Sequence, residues 1–287
     1  MTRALAGSLN CRTENRNEKG TGMETTKSAD GTVIAYDQAG DGPVLIISVG
    51  AFCTRETFAP PADLLERFTV VTYDRRGRGD SRDAQPFTAQ REAPQREYED
   101  LAAVAAATAA AGPPFLFGHS SGAAIALRAA AAGLPTAGIV AYEAPFQGED
   151  TPSPAIDPAA HIRELVDSGR RRDAVAFWMA EVVKMPEQML ANIDRAPWVT
   201  ALEPLTPTLP YDIAVTGGGM PTAELGKITV PVLILGGKNS PDWFQRSVAA
   251  QAAATPGARI IMLDGYDHNA PPEVLTPILI DFFGAHR

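Results

Sequence analysis

Short apolar runs alternating with helix-length segments constrain this chain more than any other feature. Thr32 to Tyr36, Val44 to Val49, Phe68 to Tyr73, Phe115 to Gly118, Gly138 to Tyr142, Val230 to Leu235 and Ile260 to Leu263 are of strand length and are bounded by turn residues such as Asp41-Gly42-Pro43. Between them lie helical patterns. Glu97 to Ala111 places Leu101, Val104, Ala105 and Thr108 on one face, Ala123 to Ala132 is built from small residues, and a terminal helix runs from Pro272 to Phe283. Strands joined through helices lie parallel, because a tight hairpin joins only antiparallel neighbours. The rhythm therefore predicts an α/β fold, a mostly parallel sheet flanked by helices.

One segment breaks this rhythm. No strand pattern appears between Ala144 and Val230; helical patterns cover Pro158 to Ser168, Arg172 to Met185 and Pro186 to Asp194, followed by Pro-punctuated turns up to Gly219. A structureless connection of that length is rare, so an inserted helical cap over 145–229 is predicted within a core of 23–144 and 230–287. Residues 1–22 are polar and aperiodic; they read as a disordered extension, with Met23 as the candidate start. The cap's Trp178, Met185, Met189, Trp198 and Tyr211, together with Phe52 of the core, are candidate pocket residues, although most such side chains serve to pack a cap onto its sheet.

Charge and cysteine content exclude several functions. With 25 basic and 34 acidic side chains the net charge is −9, which disfavours nucleic acid as a partner. Cys11 and Cys53 are too few for a disulfide framework or a zinc site, so a reducing compartment and no metal are expected. No apolar stretch approaches the roughly 20 residues that span a bilayer, and the N-terminus lacks a secretory pattern. The reading is a soluble cytoplasmic monomer or homodimer acting on a small molecule, with no membrane partner.

The chemistry centres on Gly118-His119-Ser120-Ser121-Gly122, a G-x-S-x-G pattern set between a predicted strand and a predicted helix. Its glycines permit a sharp turn and leave the Ser120 hydroxyl at a helix N-terminus, where developing negative charge is favoured. A serine needs a base, and the chain offers His119, His161, His268 and His286. His268 follows the last strand and precedes the terminal helix, the carboxyl-end position where ligands collect in open sheets. His119 reads as positional, His161 as a cap-helix residue and His286 as part of the tail.

Together these motifs resemble the α/β-hydrolase superfamily from about residue 25 to 285. Tyr73-Asp74-Arg75-Arg76-Gly77-Arg78-Gly79-Asp80-Ser81 is similar to its D-x-R-G-x-G-x-S turn, whose arginines would buttress the active-site face, and the helical insertion is similar to its cap. The resemblance makes Ser120 the nucleophile and His268 the base. It also assigns the oxyanion hole to the backbone N–H groups of Ala51 and Ser121, with Phe52 as fallback, in Ser48-Val49-Gly50-Ala51-Phe52, where the usual histidine is missing. Cys53 reads as an inert thiol beside that loop.

The acid departs from the family pattern. After the strand Val230 to Leu235 the family places an aspartate where this chain has Asn239, and a neutral amide cannot stabilise an imidazolium. Some branches carry the acid at the end of the strand after the nucleophile helix, here Glu143. Glu143 is the first choice, Asp242 the alternative, and Asp264 and Asp267 stand behind them. The resemblance thus implies a cofactor-independent serine hydrolase, with a Ser-His-Glu/Asp triad, for a small or medium carboxylic ester, lactone or thioester, through an acyl-enzyme. The serine at 120 departs from the dehalogenase and epoxide hydrolase branches, which need aspartate there. Two other readings stay open: a non-hydrolytic elimination, cyclisation or C–C cleavage in specialised metabolism, and a non-catalytic small-molecule binder.

Overall fold

The protein was analysed as a computed structural model that describes residues 22–84, 92–109, 112–148, 156–185, 187–191 and 193–286. Apart from Gly22, the N-terminal extension lies outside these residues. Eight strands, β1 (Glu24–Lys27), β2 (Val33–Ala39), β3 (Val44–Ser48), β4 (Thr69–Tyr73), β5 (Phe115–His119), β6 (Gly138–Tyr142), β7 (Val232–Gly237) and β8 (Arg259–Leu263), form one sheet in the order β1-β2-β4-β3-β5-β6-β7-β8. The pairs β1–β2 and β2–β4 are antiparallel and the other five are parallel.

The continuous apolar runs are central strands because both faces are covered. Every residue of β3, β6 and β7 is buried. Alternate side chains of one strand go to opposite layers: Val44 and Ile46 join the first layer with Leu116, Ile139 and Ile234, while Leu45 and Ile47 join the second with Phe117, Val140 and Leu235. Two helices, α2 (Ala93–Ala107) and α3 (Ser121–Ala131), cover the first layer; α1 (Ala62–Leu65) and α11 (Pro272–Gly284) cover the second through Leu64, Leu275, Leu279, Phe282 and Phe283. Eight of the eleven residues of α3 are buried, and all are small or aliphatic, which lets the helix lie close on the sheet.

Between β6 and β7 the described residues hold only helices. In order these are α4 (Pro158–Asp167), α5 (Arg171–Phe177) running into a π turn (Trp178–Val182), α6 (Glu187–Leu190), a 3-10 turn (Ile193–Arg195), α7 (Pro197–Leu202), a second 3-10 segment (Glu203–Thr208), α8 (Leu209–Thr216) and α9 (Thr222–Leu225). Pro197, Pro204 and Pro210, read as turn signals, instead occupy first turns of α7, the second 3-10 segment and α8, where the missing N–H costs nothing, while Pro207 lies inside the 3-10 segment. Elements outside the insertion also escaped the sequence pattern, among them β1 and α10 (Asp242–Ala254). Edge strand β1 is only half-buried, and α10 turns Phe244, Ser247, Val248 and Gln251 inward, so two polar residues interrupt its buried stripe. Among the described residues, no helix is long and apolar enough to cross a membrane.

Candidate active site

Four adjacent parallel strands, β5 to β8, bring their carboxyl ends to one edge of the sheet, and the candidate residues follow from these ends. Ser120 comes directly after β5 with φ 58° and ψ −128°, and its N–H donates to Tyr142 O at 2.9 Å. The glycines of the motif explain the turn. A Cβ on Gly118 would lie 2.4 Å from Ala123 Cα, and one on Gly122 would lie 2.1 Å from Ser48 O, so only glycine lets strand and helix approach this closely. Among the described residues four non-glycines have positive φ, and three of them are Phe52, Ser120 and Glu143; the fourth is Lys184. Such backbone costs of the order of 1–3 kcal/mol each and persists only where the surroundings impose it.

Glu143 follows β6, fully buried, and its carboxylate has all its partners inside the protein. Oε1 accepts from Gly237 N–H at 2.7 Å and from Ser240 Oγ–H at 2.6 Å, and Oε2 accepts from His268 Nδ1 at 2.7 Å. Burial pushes the carboxyl up, but the hydrogen bond and charge of His268, with the Gly237 and Ser240 donors, outweigh it and hold Glu143 below the ordinary carboxylate range. An ionised carboxylate only accepts, so His268 carries a proton on Nδ1, which leaves Nε2 as the ring nitrogen turned away from Glu143. No hydrogen bond joins Ser120 Oγ to His268 Nε2 among the described residues. Catalytic hydrogen bonds are often long in a free enzyme and shorten with substrate.

The His268 loop is pinned from below. His119 Nε2 donates to His268 O at 2.8 Å, Tyr142 hydroxyl donates to Asp267 O, and the His119 and Phe244 rings lie 4.6 and 4.8 Å from the imidazole. Burial, aided by the charge of His268, holds His119 down to about 4, so it is neutral and supplies an Nε2–H to that carbonyl. Asn239 is exposed, and its N–H ties to Tyr266 O at 2.9 Å; Asp242 stands exposed in the first turn of α10 without a hydrogen bond to His268. Asp264 pairs with Lys238, and Asp267 Oδ1 caps Asn269 N–H. His161 lies against Phe177 in the insertion, and His286 bonds Phe282 O in the tail.

Opposite Glu143, the loop after β3 closes on Ser120. A Cβ on Gly50 would meet Ser120 Cβ at 2.8 Å, so the loop touches the candidate nucleophile. The N–H groups of Ala51, Phe52 and Ser121 donate to no described group. Cys53 Sγ–H donates to Ala51 O, and burial pushes its thiol up, which keeps it protonated and inert. Phe52 packs edge-on against Trp178 at 6.0 Å, within an apolar cluster that also holds Met179, Met185, Leu190, Trp198 and Leu209. Tyr211, grouped with these in the sequence, is not in that cluster; its hydroxyl donates to Asp83, since a buried phenol requires a polar partner. The side chain of Met189 lies outside the described residues.

Sequence reasoning missed a buried charge network beneath Ser121. Arg75 donates to both oxygens of Glu97 and to Asp212 Oδ1, and Arg78 donates to Asp212 Oδ2 at 2.7 Å and to Gly50 O at 2.6 Å. The arginines do buttress this face, but their main acid, Asp212, comes from α8 of the insertion, 137 positions from Arg75. Burial raises the Asp212 carboxyl, yet the charges of Arg75 and Arg78 prevail and lower it. No local pattern announces a partner so distant. Among the described residues no group of His, Cys, Asp and Glu is arranged to hold a metal ion. A cleft of about 320 Å³ lies at the other end of the sheet, among Pro113, Leu134, Thr136 and Lys227 before β5, β6 and β7, remote from this constellation.

Comparison with known proteins agrees with this architecture. A family model described as alpha/beta hydrolase family matches residues 44–274. The crystal structure of an alpha/beta hydrolase from Sphaerobacter thermophilus is 40% identical, covers 91% of this chain and all of its own, and superposes with a TM-score of 0.82. At 20% identity, where likeness shows the fold alone, the esterase RhEst1 from Rhodococcus sp. ECU1013 (TM-score 0.70, 93% of this chain and 100% of its own) and the enol-lactonase from Burkholderia xenovorans LB400 (0.67, 91% and 100%) share it.

Proposed function

Because this chain belongs to the alpha/beta hydrolase family, we propose that it is a serine hydrolase that opens a small or medium carboxylic ester, lactone or thioester through an acyl-enzyme. The observation that carries the reading is the 2.7 Å bond from His268 Nδ1 to a buried, ionised Glu143, at the strand end beside a strained Ser120. His268 Nε2 takes the Ser120 proton as Oγ adds to the carbonyl carbon. Glu143 fixes the tautomer and stabilises the imidazolium, and the N–H groups of Ala51 and Ser121 receive the oxyanion. Collapse of the tetrahedral adduct breaks the bond to the departing oxygen or sulfur, which takes the proton from His268 and becomes the alcohol or thiol. Water, deprotonated by the same nitrogen, then releases the acid and restores Ser120.

The acid sits one strand over from the usual position, and the geometry supports that exchange. Neighbouring parallel strands are about 4.8 Å apart, so the end of β6 reaches the same imidazole as the end of β7. β7 still contributes, since Gly237 N–H and Ser240 hold Glu143. Residues 145–229 serve as a cap whose apolar cluster against Phe52 excludes water and favours an apolar acyl or alcohol group. The named activities of the esterase and the enol-lactonase support ester and lactone bonds as the class to try first.

A fluorophosphonate probe read by intact mass tests this. One adduct per chain is expected, lost in Ser120→Ala and His268→Ala, sharply slowed in Glu143→Gln and retained in Asp242→Asn; p-nitrophenyl esters and a lactone panel should then turn over. Unlabelled wild type would overturn the proposal.

A further inference from the structure

We propose that Asp212, acting through Arg78 and Ser121, is a positioning residue that sets both arms of the oxyanion hole and makes the hole depend on seating of the insertion. The inference rests on the serine hydrolase reading above. Its first arm is a single peptide group. Arg78 Nη1 donates to Gly50 O at 2.6 Å, and Gly50 C=O and Ala51 N–H belong to one planar trans unit, so fixing the carbonyl fixes the direction of the N–H on its other side. A cation on the carbonyl oxygen also polarises the peptide and strengthens its N–H as a donor. Arg78 Nη2 is held at 2.7 Å by Asp212 Oδ2.

The second arm runs through the other carboxylate oxygen. Asp212 Oδ1 accepts from Ser121 Oγ at 2.6 Å and from Arg75 Nη1 at 2.7 Å, and Arg75 Nη1 reaches Ser121 Oγ at 3.0 Å. One buried carboxylate thus spans the two residues whose N–H groups would face the oxyanion. Arg75, Arg78, Asp212 and Ser121 are all at most 2% exposed, so solvent does not loosen the span. Asp212 belongs to α8, whereas Ser121, Gly50 and the arginines belong to the sheet unit. Lifting α8 would withdraw Asp212 from both arms while leaving the His268–Glu143 bond in place.

The test compares wild type with Arg78→Met, Arg78→Lys and Asp212→Asn, using p-nitrophenyl butyrate turnover, phenylboronic acid as a tetrahedral mimic, and fluorophosphonate stoichiometry to count active sites. Loss of a whole oxyanion donor costs about 100- to 1,000-fold in kcat, so its misdirection in Arg78→Met is expected to cost about 10- to 100-fold per labelled site. KM should stay within about threefold, because the hole acts on the transition state. Boronate affinity should fall by the same factor as kcat, the pH-rate profile should keep its shape, and Arg78→Lys should recover part of the loss. If Arg78→Met does not fold, Asp212→Asn, which keeps the shape of the acid, carries the same expectation. A folded variant with wild-type kcat per labelled site and wild-type boronate affinity would overturn the proposal, showing the network to be structural only. Failure of the wild type itself to label or turn over would instead remove the serine hydrolase reading, and this proposal with it.

Discussion

Two electrostatic centres flank Ser120, and they are built to opposite ends. On one side a single buried carboxylate, Glu143, faces a histidine whose side chain is 27% exposed. On the other, Arg75, Arg78, Glu97 and Asp212 form a lattice with no member more than 1% exposed. The first centre holds an imidazole that is partly open to solvent or substrate, the side chain suited to general acid–base work. The second pairs arginines with acids and is sealed from water, so it fixes geometry. On the serine hydrolase proposal, the turn at Ser120 has both to activate a hydroxyl and to steady an oxyanion, and one centre of each kind serves those two tasks.

Substitution should separate the two centres, beginning with the largest effect. Ser120→Ala or His268→Ala is expected to lower kcat by about 10⁴- to 10⁶-fold with little change in melting temperature; near-wild-type turnover in either would remove the first centre from catalysis. Glu143→Gln keeps the shape but loses the charge and the tautomer control, and should lower kcat by about 10⁴-fold, while Asp242→Asn stays within about twofold. The reverse ranking, in steady-state ester hydrolysis, would transfer the acid role to Asp242.

In the lattice the dominant readout is stability. Asp212→Ala leaves two buried guanidinium groups short of an anion and should cost about 3–5 kcal/mol in denaturant unfolding. A cost below about 1 kcal/mol would mean that water or another acid replaces it. The smallest expected effect is a pH dependence. His119 is held down to about 4 from an ordinary 6.5, so the unfolded chain takes up the proton first. Stability from this group is therefore complete above about 6.5 and is lost as the pH falls toward 4; His119→Phe should flatten the melting temperature across that window. Glu143 and Asp212, lowered from ordinary values of 4.5 and 3.8, contribute stability that is complete above those values and is lost as the pH falls through the lowered ones, so their loss starts near the foot of the His119 window and continues beyond it.

The sheet, the elbow at Ser120 and the position of His268 were legible from local pattern alone. Strand burial on both faces writes a continuous apolar run, and a G-x-S-x-G between strand and helix marks a turn that only small flanking residues permit. Glu143 was legible as a charge closing an apolar strand, which demands a partner. Helices α7, α8 and α10 were not, because prolines at first turns look like breakers and because Ser247 and Gln251 occupy buried positions where the helical pattern calls for apolar residues.

By itself the sequence determined the central strands, the helices with a clear apolar face and which side chains have the chemistry to react, since these depend on neighbours a few residues away. Only the tertiary structure decided which carboxylate His268 meets and which acid the buried arginines meet. Glu143 and His268 are separated by 125 positions, and Asp212 and Arg78 by 134. Pairings at that range are set by strand order and by the seating of α8, and neither leaves a periodic mark on the chain.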